Sequence, residues 1–420
     1  MKKLKILILS DYGFAKGGAE QVAIASSLGL SKKHEVVFFC AVGPVSRQLE
    51  ESRVSRIICL GQEDILDSKN KIKAMAAGIY NVRAVRELNK LVSRWEPDIV
   101  HMHGLSKALS WAPVSVFYSN NIPVVYTIHD YGLFCPNLGI YNYRQQASCD
   151  YYRKGFFFKC LATNCDKRNY AQKLWRWARY NITKRLIRFD KKVSAFIVVS
   201  SFLKNFVDKN LDTKRPVALI YNPLHVGGRG NRKKSGREDG PVRFLYVGRL
   251  SKEKGLELLL EAIRDVDAEL TIIGEGELME RCLALSADTG GRVKVPGYMD
   301  RESVFGHMQR SDCLVLASKC LEPAPLVLAE ACYNGLPSLV ADHGGLSEFI
   351  KDGVNGFYFK PDDLSSLKEA MDKIVKDPGI LEPLRQNCRV EVEGMGLGID
   401  SHVNELYKLY LKLIGERRLL

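Results

Sequence analysis

Two series of short apolar runs divide this chain and leave few folds open to it. The first comprises LKILILS, HEVVFFC, DIVHMH, PVVYTIHD and AFIVVSS. The second comprises VRFLYVG, AELTIIG, RVKVPG, DCLVLAS, LPSLVAD and GFYF. Runs that are apolar on consecutive residues, not on alternate ones, suit strands buried on both faces, which is the environment of a parallel sheet. Helical patterns separate nearly every pair, so each series reads as β and α elements in alternation around its own sheet. A chain of 420 residues is also too long for one ordinary core. The expected fold is α/β with two doubly wound Rossmann-like domains, at 1–220 and 221–400. The Gly-, Lys- and Arg-rich HVGGRGNRKKSGREDGP between them is a linker or the entry loop of the second domain. Residues 401–420 carry an amphipathic helix that either caps the second domain or packs back on the first.

Composition narrows the class. With 46% hydrophobic and 26% charged residues the chain reads as soluble and globular, and no segment approaches the roughly 18–20 apolar residues of a membrane span. The opening MKKLKILILS imitates a signal peptide, but its apolar run is short and no small-residue cleavage site follows, so a buried first strand is expected. Eleven cysteines, an odd number scattered through apolar runs, suit reduced thiols in the cytoplasm. The formal charge of +14 is uneven: residues 1–220 hold 35 Lys and Arg against 17 Asp and Glu. That half should face something anionic, either nucleic acid or an acidic membrane surface.

Three stretches carry chemistry. In VGRLSKEKGLELLLEA a strand ends at Gly248, Arg249 follows, and Lys254 precedes a helix. Two cations at the carboxyl end of a parallel strand suit a diphosphate, the Arg as a bidentate clamp and the Lys as a point charge. In YGFAKGGAEQ, Gly17 and Gly18 stand where a helix N-terminus can receive an anion. In LEPAPLVLAEA, Glu322 and Glu330 lie eight positions apart in an apolar stretch, where a buried carboxylate needs a polar partner. Pro325 suits the first turn of a helix, which leaves Glu322 in the loop ahead and Glu330 about a turn inside. The free N–H groups of Leu326 and Val327 would lie between them. Such an anion seat flanked by hydroxyl-binding acids has the shape of a nucleoside diphosphate sugar.

The ordered set GGAE, PDIVHMHG, YTIHD, VVSSFLKNF, IYNPL, VGRLSKEKG, IGEGE, VPGYM, E-x7-E and GGLSEFIKDGVNGFYF covers nearly the whole chain. It resembles the retaining glycosyltransferases of family four, of the polysaccharide-biosynthesis type. The resemblance implies the GT-B architecture, two Rossmann-like domains facing across a cleft, and sugar transfer that needs no divalent metal. Residue by residue it implies Arg249 and Lys254 on the diphosphate, Glu330 on the ribose and Glu322 on the sugar hydroxyls. His129 stands beside the donor sugar. Gly17, Gly18, Gly248, Ala324, Leu326 and Val327 line the donor, and Gly274, Val295 and Gly297 receive the base. His101 and His103 read as structural strand-end residues. Pro325, where many relatives have Gly, and Pro296 each remove a backbone donor.

An insertion at about 131–192 holds Cys135, Cys149, Cys160 and Cys165, whose four thiolates would suit a structural zinc; unligated thiols or a disulfide stay open. Behind them, Lys167–Lys192 has ten basic residues and one acid, interleaved with Leu174, Trp175, Trp177, Leu186 and Ile187. That mixture suits an anionic membrane, and a basic helix packed on its own domain is the alternative. The expected function is transfer from a UDP- or GDP-sugar to a lipid-linked oligosaccharide or surface polysaccharide such as capsule or O-antigen. The enzyme would be cytoplasmic, or peripheral on the inner face of the plasma membrane. A nucleotide-sugar epimerase or phosphorylase of the same architecture is one alternative, and a basic nucleic-acid-binding protein another.

Overall fold

The computed structural model describes residues 2–104, 107–153, 156–224 and 240–417. The stretch from His225, read above as linker or entry loop, lies almost wholly outside them. The chain divides into two compact units, one of 1–140, 150–223 and 398–420, the other of 141–149 and 224–397.

The first unit is built on β1 (Lys5–Tyr12), α1 (Gly18–Ser31), β2 (Glu35–Val42), β3 (Arg56–Cys59), α2 (Lys71–Ile79), α3 (Val82–Trp95), β4 (Ile99–His103) and β5 (Val124–Ile128). A long insertion containing α4 (Tyr170–Ile182) follows, then β6 (Ala195–Val198), α5 (Ser201–Asn210) and β7 (Val217–Leu219). Its strands run in the order β3-β2-β1-β4-β5-β6-β7, all parallel. In β1, Ile6, Leu7, Ile8 and Leu9 are all fully buried, the two-sided burial that its unbroken apolar run predicts.

In the second unit the sheet comprises β8 (Val242–Val247), β9 (Ala268–Ile273), β10 (Val293–Gly297), β11 (Cys313–Leu316), β12 (Ser338–Ala341) and β13 (Gly356–Phe359). Their order is β10-β9-β8-β11-β12-β13, again wholly parallel. The helices that matter to the site are α6 (Leu256–Asp265), α7 (Arg301–Arg310) and α8 (Leu326–Tyr333). Pro296 falls on the edge strand β10, where a missing ladder donor costs least. Each sheet reverses its strand order once beside its first strand, at β1/β4 and at β8/β11, and such reversals open a crevice at the carboxyl ends.

The C-terminal helix α9 (Ile399–Arg417) belongs to the first unit. Leu406, Tyr410 and Leu413 join the cluster that holds Ile6, Ile8 and Ala23. The close approach needs Gly29 on α1, because a Cβ there would stand 2.6 Å from Val403 Cγ2 and 2.9 Å from Ile399 Cγ1. An ordinary Gly→Ala change inside a helix gains about 1 kcal/mol, whereas overpacking costs about 1–3 kcal/mol. Gly29→Ala is therefore expected to lower stability by up to about 2 kcal/mol in urea denaturation, against the usual direction.

Candidate functional site

The second unit assembles the acids and cations around its strand-order reversal. Gly248 and Arg249 leave the end of β8, and the chain turns at Gly255 into α6. Gly255 has φ +66°, and a Cβ on it would sit 1.6 Å from the Ala317 carbonyl oxygen, so no other residue fits the turn. Across the crevice, Lys319 and Cys320, just beyond β11, donate their N–H groups to the Glu253 carbonyl at 3.0 and 3.2 Å. That backbone lock brings Lys254 Nζ to 2.6 Å from Glu322 Oε2. The other Glu322 oxygen accepts from the Ser318 hydroxyl, and the His343 ring nitrogen meets the Ser318 carbonyl.

Burial alone would raise the Glu322 carboxyl, but the Lys254 ammonium, followed by Ser318 and His343, holds it below the usual glutamate value. Desolvation likewise works against the Lys254 charge, and Glu322 overcomes it, so the ammonium is held above the ordinary lysine value. Arg249 stays 69% exposed, with its guanidinium 4.0 Å from Glu253. The turn thus presents Arg249 and Lys252 to solvent and holds Lys254 already engaged.

Glu330 meets a different partner. It is 8% exposed on α8, and Arg301, at the start of α7, donates to its Oε1 through both Nε (3.0 Å) and Nη2. Burial raises the Glu330 carboxyl despite the opposing Arg301. Oε2 has no partner among the described residues. Pro325 is the N-cap of α8, not its first helical residue, and Leu328 N bonds to its carbonyl at 3.1 Å. The N–H groups of Leu326 and Val327 come before that bond, with Ala324 in the loop ahead. Gly274 N donates to Gly297 O at 2.9 Å, which joins the loops after β9 and β10 around Val295. A Cβ on Gly274 would lie 1.9 Å from Gly248 O, so the glycine is what lets those loops close on β8.

In the first unit Gly17 is the N-cap of α1 and Gly18 its first residue. Burial raises the Glu20 carboxyl, with the backbone of Glu20 and Gly17 opposing, and Glu20 Oε2 would stand 3.3 Å from a Cβ on Gly17, so that an anion arriving there would meet this side chain. Lys16 pairs with Asp64, which also accepts from Tyr12 Oη at 2.7 Å. Burial would raise that carboxyl, but the Leu66 N–H, Lys16 and Tyr12 hold it down to about 2. His129, just after β5, accepts or donates through Nε2 to His103 Nδ1 at 3.1 Å.

Of the four cysteines read as zinc ligands, Cys160 and Cys165 share one close neighbour. Lys173 Nζ is buried between Cys160 Sγ (3.3 Å) and Cys165 Sγ (3.2 Å), and its ammonium occupies the place a cation would need. Cys149 belongs to the second unit, while Cys135 lies in the first. Among the described residues no three His, Cys, Asp or Glu side chains are grouped to hold a metal. The basic helix is also less outward than its composition implies. Lys173 and Arg179 on α4 are buried, and Arg176 bonds Asp166 at 3.1 Å. Between Phe156 and Lys192 the exposed cations are Lys159, Lys167, Arg168, Arg185, Arg188 and Lys191, beside exposed Phe158 and Leu186. Among the described residues no helix is long and apolar enough to cross a membrane.

Sequence reasoning missed Arg301, Ser318, His343 and the contact made by His103. Arg301 and Glu330 are 29 positions apart, on different helices, and no spacing rule joins them.

Comparison with known proteins places the chain in a family. The family model described as Glycosyltransferase Family 4 matches residues 16–226, and that described as Glycosyl transferases group 1 matches 229–392. An uncharacterized glycosyltransferase of Methanocaldococcus jannaschii is 29% identical over 192 residues, 44% of this chain and 49% of its own. The amylovoran biosynthesis glycosyltransferase AmsK of Erwinia amylovora is 29% identical over 165 residues, 36% of this chain and 40% of its own. The chain thus spans half or less of the length of these curated relatives. The Anabaena protein HepE, solved in complex with UDP-glucose, superposes with a TM-score of 0.67 at 17% identity, over 97% of this chain and 100% of that one. That likeness establishes the two-unit GT-B fold.

Removing Lys254 should reverse the pH response of the site. In the native protein the folded Glu322 pKa lies below its ordinary 4.5, so the pair contributes stability above that value and loses it as pH falls through the folded pKa. In Lys254→Met burial acts largely unopposed, the folded pKa moves above the unfolded one, and the variant instead gains stability as pH falls. Urea denaturation should show a loss of about 3 kcal/mol at pH 7.5 that narrows clearly by about pH 5.

Proposed function

Because the chain belongs to glycosyltransferase family 4, whose model matches half of it, we propose that it transfers a sugar from a UDP- or GDP-sugar to a growing surface glycan or its lipid-linked precursor. The observation that carries this reading is the Lys254–Glu322 contact at the strand-order reversal of the second unit, with exposed Arg249 on the same turn. A cation pair beside a sugar-binding acid matches what a nucleoside diphosphate sugar needs: charge on the pyrophosphate and hydroxyl acceptors beyond it.

In this reading Arg249 and Lys254 hold the diphosphate and stabilise it as it leaves. Glu322 accepts from the sugar hydroxyls, and the second oxygen of Glu330 accepts from the ribose. Gly248, Gly274, Val295, Gly297, Ala324, Leu326 and Val327 shape the donor seat, and His129 contacts the transferred sugar. Transfer proceeds with retention, by attack on the face the phosphate leaves from, with a phosphate oxygen taking the acceptor proton. The protein supplies positioning and charge and requires no divalent metal. UDP as the base-bearing half is supported by the UDP-glucose complex of HepE, and a polysaccharide acceptor by the amylovoran role in the name of AmsK.

The kinetic test uses Arg249, whose exposure keeps its loss nearly neutral for the fold, within about 0.5 kcal/mol. UDP-sugars or GDP-sugars should raise the melting temperature selectively. With the stabilising donor, Arg249→Ala should lower kcat by about 100-fold while donor affinity falls by less than about tenfold. Equal losses in both would refute leaving-group stabilisation, and no selective stabilisation by any nucleotide sugar would refute the reading as a whole.

The acceptor assignment has its own check. Lys159, Arg185 and Arg188, with exposed Phe158 and Leu186, offer charge and apolar surface for an anionic bilayer. Reversing the three charges should weaken binding to vesicles rich in acidic lipid by at least about 100-fold, at about 1 kcal/mol per charge near the surface. Turnover with a soluble acceptor should persist; unchanged vesicle binding would remove the membrane from the proposal.

A further inference from the structure

Strand alternation gives β4 and β5 a shared row of polar side chains. His101 and His103 lie on one face of β4, and Thr127 and His129 continue the same row, with His103 in register with Thr127. His101 is held between two hydroxyls, Tyr410 Oη at 2.6 Å from Nδ1 and Thr127 Oγ1 at 2.7 Å from Nε2. The His103 ring lies against it, tilted by 35°, at 4.0 Å between centroids. On its other side His103 approaches His129, Nδ1 to Nε2 at 3.1 Å, with the rings 22° from parallel.

Burial, reinforced by the neighbouring histidines, pushes the imidazoles of His101 and His103 far below their usual pKa, and that of His129 down to about 3. Each ring is therefore neutral at physiological pH and carries a single N–H, so the contact has only two possible forms. If His129 donated from Nε2, the proton of His103 would sit on its own Nε2. That atom is sealed from solvent and has no partner among the described residues. If His103 donates from Nδ1, what is left at its Nε2 is a lone pair. Orphaned buried N–H groups are rarer than unsatisfied acceptors, and the hydrogen bond made by one ring nitrogen sets the proton on the other.

We propose that His103 is a positioning residue: its Nδ1–H donates to His129 Nε2 and fixes His129 as the Nδ1–H tautomer. His129 then meets an oxygen of the donor sugar as a hydrogen-bond donor and not as a base. The role of His129 toward a sugar rests on the function proposed above; the tautomer does not.

The test is long-range proton–nitrogen correlation on the full chain labelled with 15N-histidine, near pH 7. The expected spectrum shows His103 and His129 each protonated at Nδ1 and bare at Nε2. A proton on His129 Nε2 overturns the proposal. His103→Leu removes the donor, and His129 should then lose its single tautomer in a chain that remains folded by its melting profile. With an active donor and acceptor, kcat should fall by about tenfold or more with KM nearly unchanged. His103→Asn, whose Nδ2 can stand where Nδ1 stood, should recover most of that rate. Native tautomer and native kcat in folded His103→Leu would also overturn it. The spectral arm needs no substrate, so failure to find transfer would count against the proposed function alone.

Discussion

A carboxylate taken out of water has to find a cation or give up its charge, and that constraint organises the second unit. Glu322 and Glu330 sit in one of its most apolar stretches, and each is met by a base brought from elsewhere in the chain. Breaking such a pair is costly because the survivor is left buried and unmatched. The backbone lock between Glu253 and the loop after β11 therefore fixes more than a turn. It sets where two opposite charges can coexist.

The pairs differ in what they leave open. Lys254 is committed to Glu322, whereas Arg249 on the same turn is largely in water. Under the proposed function, an arriving diphosphate would meet the exposed guanidinium first and share the ammonium second, and the released Glu322 oxygens would then accept from hydroxyls. Arg301 engages only Oε1 of Glu330, which leaves an acceptor already oriented. Preorganised charge of this kind needs no rearrangement at the moment of reaction, which is the main way protein dipoles and ions lower a barrier.

Much of this was legible in the sequence because it depends on order along the chain. Unbroken apolar runs marked the strands of both sheets, and the position of Arg249 and Lys254 after VRFLYVG placed cations at a strand's carboxyl end. The partner of Glu330 was not legible, since Arg301 reaches it from another helix by way of tertiary packing. Across Lys167–Lys192, composition did not tell which of ten cations face outward. Helical periodicity turns Lys173 and Arg179 inward, and a lysine ammonium fills the space between Cys160 and Cys165 where thiolate ligands were expected to share a metal. His103 was read as a structural strand-end residue for the same reason: strand alternation shows which face it occupies, but not that the ring beyond it is His129.

The two units handle protons in opposite ways. In the second, partners keep Lys254 and Glu322 ionised despite burial. In the first, burial with no acid in the row strips the charge from His101, His103 and His129. A neutral imidazole this hard to protonate is a poor reservoir for a proton leaving an acceptor hydroxyl, because the imidazolium would form in a site that disfavours cations. A departing diphosphate held by cations is already anionic and needs no such penalty to accept one. Under the proposed transfer, the contrast between the two environments favours the leaving phosphate over the histidine as the proton's destination, and His129 would be left the task of holding an oxygen in place.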